Sequence, residues 1–166
     1  KNLNQKIHIN FISTGINTMT GGRIKLLSKI INNENFMMTY GDGLANVDLK
    51  KLKKFHLQHK KIATVTAVRP LSRYGILNLK GNSVSSFKEK LKLNYGWING
   101  GFFVAKKSFL KLIRGDKEIL EKYPLEKSAQ NKQLSAYKHK GFWKCVDTKR
   151  DKDELNRILK KNLIKI

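Results

Sequence analysis

Two isolated carboxylates mark the places in this chain where chemistry could be done. An apolar run, Phe36-Met37-Met38-Thr39-Tyr40, delivers Asp42 between Gly41 and Gly43, and a second stretch, Trp143-Lys144-Cys145-Val146, ends at Asp147. An aspartate exposed in the turn after a buried strand can hold a hard cation such as Mg²⁺ through oxygen. Glycines on either side let the backbone approach a bulky ligand. An ordinary Gly-Asp-Gly turn accounts for the same letters, since short glycine motifs recur widely; the pattern alone leaves both readings standing.

Three other groupings carry chemical potential. Ser13-Thr14-Gly15-Ile16-Asn17-Thr18-Met19-Thr20-Gly21-Gly22-Arg23 is a polar, glycine-bearing loop that opens a helix. Backbone N–H groups there favour an anion or a base edge, while Thr20 as N-cap would make it a plain connection. Glu89 and Lys90 lie between two strands near a glycine-rich turn. They fit either an exposed ion pair of little worth or an ammonium on a phosphate beside a carboxylate on sugar hydroxyls. His56 and His59 are three apart on a helix, but no further His, Cys or carboxylate has metal-ligand spacing to them, so a zinc site is not expected.

The elements that must position these residues follow from periodicity. Alternation over 7–12 predicts a half-buried strand, and Ile24, Leu27, Ile30 and Ile31 form the apolar face of the helix after the loop. The run over 36–40 is a buried strand. Asp48 caps a helix over 49–59, with Leu49, Leu52 and Phe55 at helical spacing. Residues 62–68 are near-continuously β-branched, as in a strand covered on both faces. The order β-α-β-α-β points to a mostly parallel sheet. Two alternating runs, 74–79 and 83–87, joined at Lys80-Gly81-Asn82, predict a hairpin. A strand over 97–104 follows, then short helices over 108–113 and 117–123, the latter stopped by Pro124. A helix over 124–130 with Pro at its first position is next. Short strands over 134–137 and 141–143 precede an amphipathic helix over 151–161, apolar at Leu155, Ile158 and Leu159.

The chain has 166 residues, enough for one domain with a real core. No apolar stretch is long enough to cross a bilayer, and no signal peptide is expected from the first residues. A single cysteine, Cys145, excludes an internal disulfide and suggests a reducing compartment, so a cytoplasmic location is expected. The formal net charge is +23, from 35 Lys+Arg against 12 Asp+Glu. Such a charge invites a nucleic-acid reading. The lysines are spread over every predicted helix and turn, however, arginine is scarce, and no aromatic-and-basic signature is present, which favours a compositional bias carried on solvated faces. The field would still attract a polyanionic substrate.

Taken in order, Thr18-Met19-Thr20-Gly21-Gly22-Arg23, Tyr40-Gly41-Asp42-Gly43 with Val47-Asp48, Arg73-x-Gly75-x-Leu77, Phe87-x-Glu89-Lys90, Trp97-Ile98-Asn99-Gly100-Gly101-Phe102-Phe103-Val104 and Gly141-Phe142-Trp143 with Asp147-Thr148 form an ordered set. The set resembles the sugar-phosphate nucleotidyltransferases, in particular their glucose-1-phosphate cytidylyltransferase branch, over nearly the whole chain. The resemblance implies an α/β, Rossmann-like nucleotidyltransferase fold and Mg²⁺-dependent transfer from CTP to glucose 1-phosphate, giving CDP-glucose for surface polysaccharide. It further implies that Asp42 and Asp147 hold the metal, that Gly21, Gly22 and Arg23 lie at the nucleotide base, that Glu89 bonds glucose hydroxyls and that Lys90 contacts the sugar phosphate. Gly75 and Asn99 fall where the family lines the sugar pocket.

Two features depart from the family. Leu91 stands where a proline usually follows Glu-Lys. The glycine-rich first strand and loop that cradle the triphosphate have no counterpart, so the fold is expected to be incomplete: a single N-terminally truncated domain. Residues 1–70 would be the rest of the nucleotide-binding half, 71–148 the sugar-phosphate part and 149–166 the C-terminal helix. Such a piece is expected to be inactive alone and to expose sheet edges; relatives commonly self-associate, so the complete protein is expected to be a homo-oligomer. The readings that compete are a thymidylyl- or uridylyl-type transferase, and a non-enzymatic basic remnant that binds RNA or anionic surfaces.

Overall fold

A computed structural model describes residues 8–70, 76–88 and 96–161. In chain order the elements are α1 (Thr20–Leu26), a 3₁₀ turn (Leu27–Lys29), β1 (Asn35–Thr39), β2 (Gly43–Ala45), α2 (Leu49–His59) and β3 (Ala63–Val68). Then come β4 (Ile76–Lys80), β5 (Ser83–Lys88), β6 (Ile98–Lys106), a 3₁₀ helix (Lys107–Leu112), α3 (Tyr123–Gln130), β7 (Leu134–Lys138), β8 (Trp143–Cys145) and α4 (Lys149–Lys160).

Four strands form the main sheet in the order β1-β6-β3-β7, and two ribbons, β2-β8 and β4-β5, stand apart from it. The expected mostly parallel sheet is corrected here: β3 and β7 are parallel, but β6 runs antiparallel to both of its neighbours, β1 and β3. The physical cause is the connection. After β3 the chain leaves one end of the sheet, makes the β4-β5 hairpin and re-enters at the same end, so β6 must run backwards. The sheet is therefore mixed.

β3 and β6 form its centre. Ala63, Thr64, Ala67, Val68, Phe103, Val104 and Ala105 are buried, and Leu52 from α2 packs with them. Phe109, Leu110, Ile113 and Leu120 supply the rest of the core from the segment after β6. The β-branched and aromatic composition of β3 and β6 suits strands covered on both faces.

Two further expectations are corrected. Residues 8–12 form no strand; Ile9 is 69% and Phe11 95% exposed, so the alternating pattern has no sheet to join. Residues 117–122 are turns and irregular backbone, not a helix, because this backbone lies against the start of α1: Met19 N–H donates to Asp116 O at 2.8 Å, and Gly21 and Gly22 N–H donate to Glu118 O at 2.9 and 3.2 Å. A β-carbon on Gly22 would sit 2.6 Å from Asp116 Cα, so only glycine permits this approach. The N-cap of α1 is Met19 rather than Thr20. Asp48 caps α2 as expected, accepting from Lys51 N–H at 2.9 Å, and α3 has proline in its first turn.

Candidate active site

Asp42 follows β1, and Asp147 follows β8. The short β2-β8 ribbon brings the two turns together: Gly43 pairs with Cys145 and Ala45 with Trp143, and Val146 N–H donates to Asp42 O at 2.9 Å. The Trp143 indole N–H donates to Gly100 O at 2.8 Å, fastening the ribbon to β6. As a result Asp42, Asp147 and Cys145 each place a ligand atom within 4.8 Å of the others. Both carboxylates are exposed and Cys145 is half-buried. Cys145 Sγ–H donates to Asp147 Oδ1 at 3.0 Å. Burial first, then this bond and the charges of Asp42 and Asp147, push the thiol up to about 11.

The donor set fits a hard divalent ion. Mg²⁺ takes oxygen ligands at about 2.1 Å, keeps several waters and leans on one or two carboxylates plus substrate phosphates. Two oxygens on one such ion lie at most about 4.2 Å apart, so small side-chain rotations suffice. A protonated thiol offers that ion little.

A second network borders the first. The Tyr40 hydroxyl donates to Glu121 Oε1, and the Thr20 hydroxyl donates to Glu121 Oε2 at 2.8 Å while accepting from Leu120 N–H at 2.9 Å. Asn99 Nδ2 donates to the Tyr40 oxygen at 3.2 Å, and Asn99 Oδ1 accepts from Gly101 N–H at 2.8 Å. Burial and the Glu121 carboxylate hold the Tyr40 phenol far above its ordinary range. Gly101 has φ +79°, and a β-carbon there would meet the Tyr40 ring at 2.7 Å. The start of α1, the strand end that carries Asp42, and Asn99 are thus one bonded unit.

These groups share one end of the sheet. The carboxyl ends of β1, β3 and β7 and the start of β6 lie together, with Ala67 paired to both Asn99 and Lys138. In α/β sheets this end is where ligands bind. It is positively lined: the Arg69 guanidinium lies 4.6 Å and the Lys138 ammonium 5.7 Å from the centre of the Trp97 ring.

The structure therefore brings Asp42 and Asp147 together and sets Asn99 beside them through Tyr40. Gly21 and Gly22 are buried, with their N–H groups engaged by Glu118 O. Arg23 is exposed, its guanidinium donating to Thr14 Oγ1 at 2.6 Å. Gly75, Glu89 and Lys90 lie outside the described residues. Neither Cys145, read from the sequence only as the lone cysteine, nor Glu121 was expected at the site. For Cys145 a signal existed, since it stands two before Asp147 and alternation puts i and i+2 on one face of an extended chain. For Glu121 there was none.

The family model described as "Nucleotidyl transferase" matches residues 2–159. Glucose-1-phosphate cytidylyltransferase of Salmonella typhimurium is 42% identical over 155 residues, which cover 93% of this chain and 60% of the relative. D-glycero-alpha-D-manno-heptose 1-phosphate guanylyltransferase of Aneurinibacillus thermoaerophilus is 32% identical over 126 residues, covering 74% of this chain and 53% of the relative. The chain thus spans 60% or less of the length of these curated relatives. Among solved structures, apo UDP-glucose pyrophosphorylase superposes with a TM-score of 0.66 over 93% of this chain and 64% of its own, at 15% identity, a likeness of fold.

Proposed function

The chain belongs to the nucleotidyl transferase family, and we propose that within a complete protein it supplies the metal-binding and sugar-phosphate-binding part of a glucose-1-phosphate cytidylyltransferase. The reaction joins CTP and glucose 1-phosphate into CDP-glucose and pyrophosphate. The observation that carries this reading is the convergence of Asp42 and Asp147 at the ligand-binding end of the sheet. The 42% identity to the Salmonella cytidylyltransferase supports the choice of nucleotide and sugar.

The attacking group is a phosphate oxygen of glucose 1-phosphate, already ionised near neutral pH, so no side chain need act as a strong base. Its target is the α-phosphorus of CTP, and pyrophosphate leaves roughly in line. Positioning and charge neutralisation then supply the catalysis. Asp42 and Asp147 would hold Mg²⁺, which when bound neutralises charge on the nucleotide phosphates. Lys90 restrains the sugar phosphate, Glu89 accepts from glucose hydroxyls, Gly75 and Asn99 line the sugar pocket, and Gly21, Gly22 and Arg23 border the base. The Tyr40–Glu121–Thr20 bonds keep the base side and the carboxylate side in fixed relation.

The test is CDP-glucose formation, followed by anion-exchange chromatography, with the chain fused to the glycine-rich segment of its relatives. Asp42→Asn and Asp147→Asn should each lower turnover roughly 10²–10³-fold. Near-normal turnover in either variant would remove that residue from the site. Among CTP, UTP, dTTP and GTP, CTP should be used best; preference for another nucleotide overturns the cytidylyl assignment and leaves the family untouched.

A further inference from the structure

Cys145 is a member of the carboxylate cluster that the proposed reaction does not use. The β2-β8 ribbon holds it opposite Gly43, one residue beyond Asp42, and its sulfur faces the carboxylates, donating to Asp147 Oδ1 at 3.0 Å. Its Sγ lies within 4.8 Å of a ligand oxygen of each aspartate. Two carboxylates without it would form an all-oxygen site of the kind that suits hard ions. Sulfur aimed at the same point changes the preference, because thiolate binds Zn²⁺ and Cd²⁺ far more readily than Mg²⁺.

We propose that Cys145 is a metal-specificity residue of this site: with Asp42 and Asp147 it forms an oxygen-oxygen-sulfur set that takes a thiophilic divalent ion of the zinc and cadmium class in preference to Mg²⁺. This rests on the reading that the two aspartates share one divalent ion. Three protein ligands are the usual number at an open zinc site, with the fourth position left to water or a substrate oxygen. When such an ion binds, a metal–sulfur bond forms as the S–H bond breaks; the proton passes to solvent and no electrons are transferred. The functional consequence is that zinc competes with magnesium at these aspartates, so the protein's metal occupancy depends on the ratio of the two ions.

The test is a titration of the 166-residue chain with Cd²⁺, reading the ultraviolet sulfur-to-cadmium charge-transfer absorbance, with a parallel Mn²⁺ titration read by electron paramagnetic resonance. The wild-type chain should show a saturable charge-transfer band with one ion per chain. Cys145→Ser should abolish the band while keeping Mn²⁺ binding within about twofold, and circular dichroism confirms that the fold is unchanged. Asp42→Asn and Asp147→Asn should each weaken cadmium binding about tenfold or more. A band of unchanged affinity in the Asp42→Asn, Asp147→Asn double variant means that the thiol binds alone and overturns the proposal. Mn²⁺ binding without any cadmium band in the wild type overturns the role of Cys145 and leaves the two-aspartate site standing. Failure to bind either ion overturns both.

Discussion

At His56 the ring is fully buried, with Nδ1 2.8 Å from Thr64 Oγ1 and Nε2 3.1 Å from Asn35 Oδ1, while His59 Nε2 lies 2.7 Å from the same threonine oxygen. The proton positions follow by elimination. Asn35 Oδ1 accepts, so His56 Nε2 donates and its Nδ1 accepts from the Thr64 hydroxyl. That hydroxyl then accepts from His59 Nε2–H, and His59 Nδ1 accepts from Lys61 N–H at 3.0 Å. Every link requires neutral rings. Burial, reinforced by His59 and Lys106, lowers His56 to about 4. Because the folded value lies below the ordinary 6.5, the unfolded chain takes up the proton first as pH falls. Stability is therefore full above about pH 6.5 and lost progressively down to about pH 4, by roughly 2–3 kcal/mol. Urea unfolding at pH 7 and pH 4.5 should show that loss, and His56→Gln should shrink it by at least half; an undiminished loss in the variant would contradict the account. The histidine pair was readable as structural, since no third ligand stood at metal spacing. At the Asp42 turn the apolar strand leading into it was legible, but the letters left a ligand position and a plain Gly-Asp-Gly turn equally open. The meeting of Asp42 and Asp147 came from family resemblance rather than local pattern, for no local rule pairs residues so far apart in the chain.

Elements with local signals were legible: α2 with its Asp48 cap, the β4-β5 hairpin with its turn at Gly81, and α3 with its proline. Strand direction was not, because a period of two reads the same in either sense. Nor were 117–122 legible, where backbone docking on Gly21 and Gly22 replaced an apparent helix. Residues 8–12 misled by alternation that is sequence-deep only. The start of α4 lies two residues earlier than its apolar spacing indicated, because Thr148 and Asp151 form a capping box: Asp151 N–H donates to Thr148 Oγ1 at 3.2 Å, and Thr148 N–H donates to Asp151 Oδ2 at 3.1 Å. Lys144 on β8 also pairs with Glu154 at 2.9 Å and with Asp151 at 3.7 Å. This joint directly follows Asp147, so it anchors one half of the candidate site. Thr148→Ala should cost about 1 kcal/mol of stability in chemical denaturation. A change below a few tenths would mean that the box does not hold the helix start.

At the scale of the whole molecule, two features pull in opposite directions. Among the described residues β1 has a strand partner on one side only, and Met37 on it is exposed. Beside it runs an apolar groove of about 190 Å³ lined by Met37, Met38, Thr39, Leu49, Leu52, Phe102 and Phe103. An open edge of this kind favours strand-to-strand association. The net charge of +23 opposes it through repulsion between copies. Salt screens that repulsion, the Debye length shrinking to about 8 Å at roughly 0.15 M, so association should increase with ionic strength. Sedimentation velocity at low and high salt measures this, and Met37→Lys should suppress the high-salt species. Association that falls with salt would point to ion pairs between copies instead.

The same charge would draw polyanions toward the positively lined sheet end. The proposed reaction depends on Asp42 and Asp147 holding one divalent ion between them. The most direct measurement is the stoichiometry and affinity of Mn²⁺, read by electron paramagnetic resonance, in the wild type and in the Asp42→Asn and Asp147→Asn variants. One ion per chain is predicted, with affinity lowered about tenfold or more in each variant. Wild-type affinity in either variant, or two independent ions per chain, would contradict the shared site.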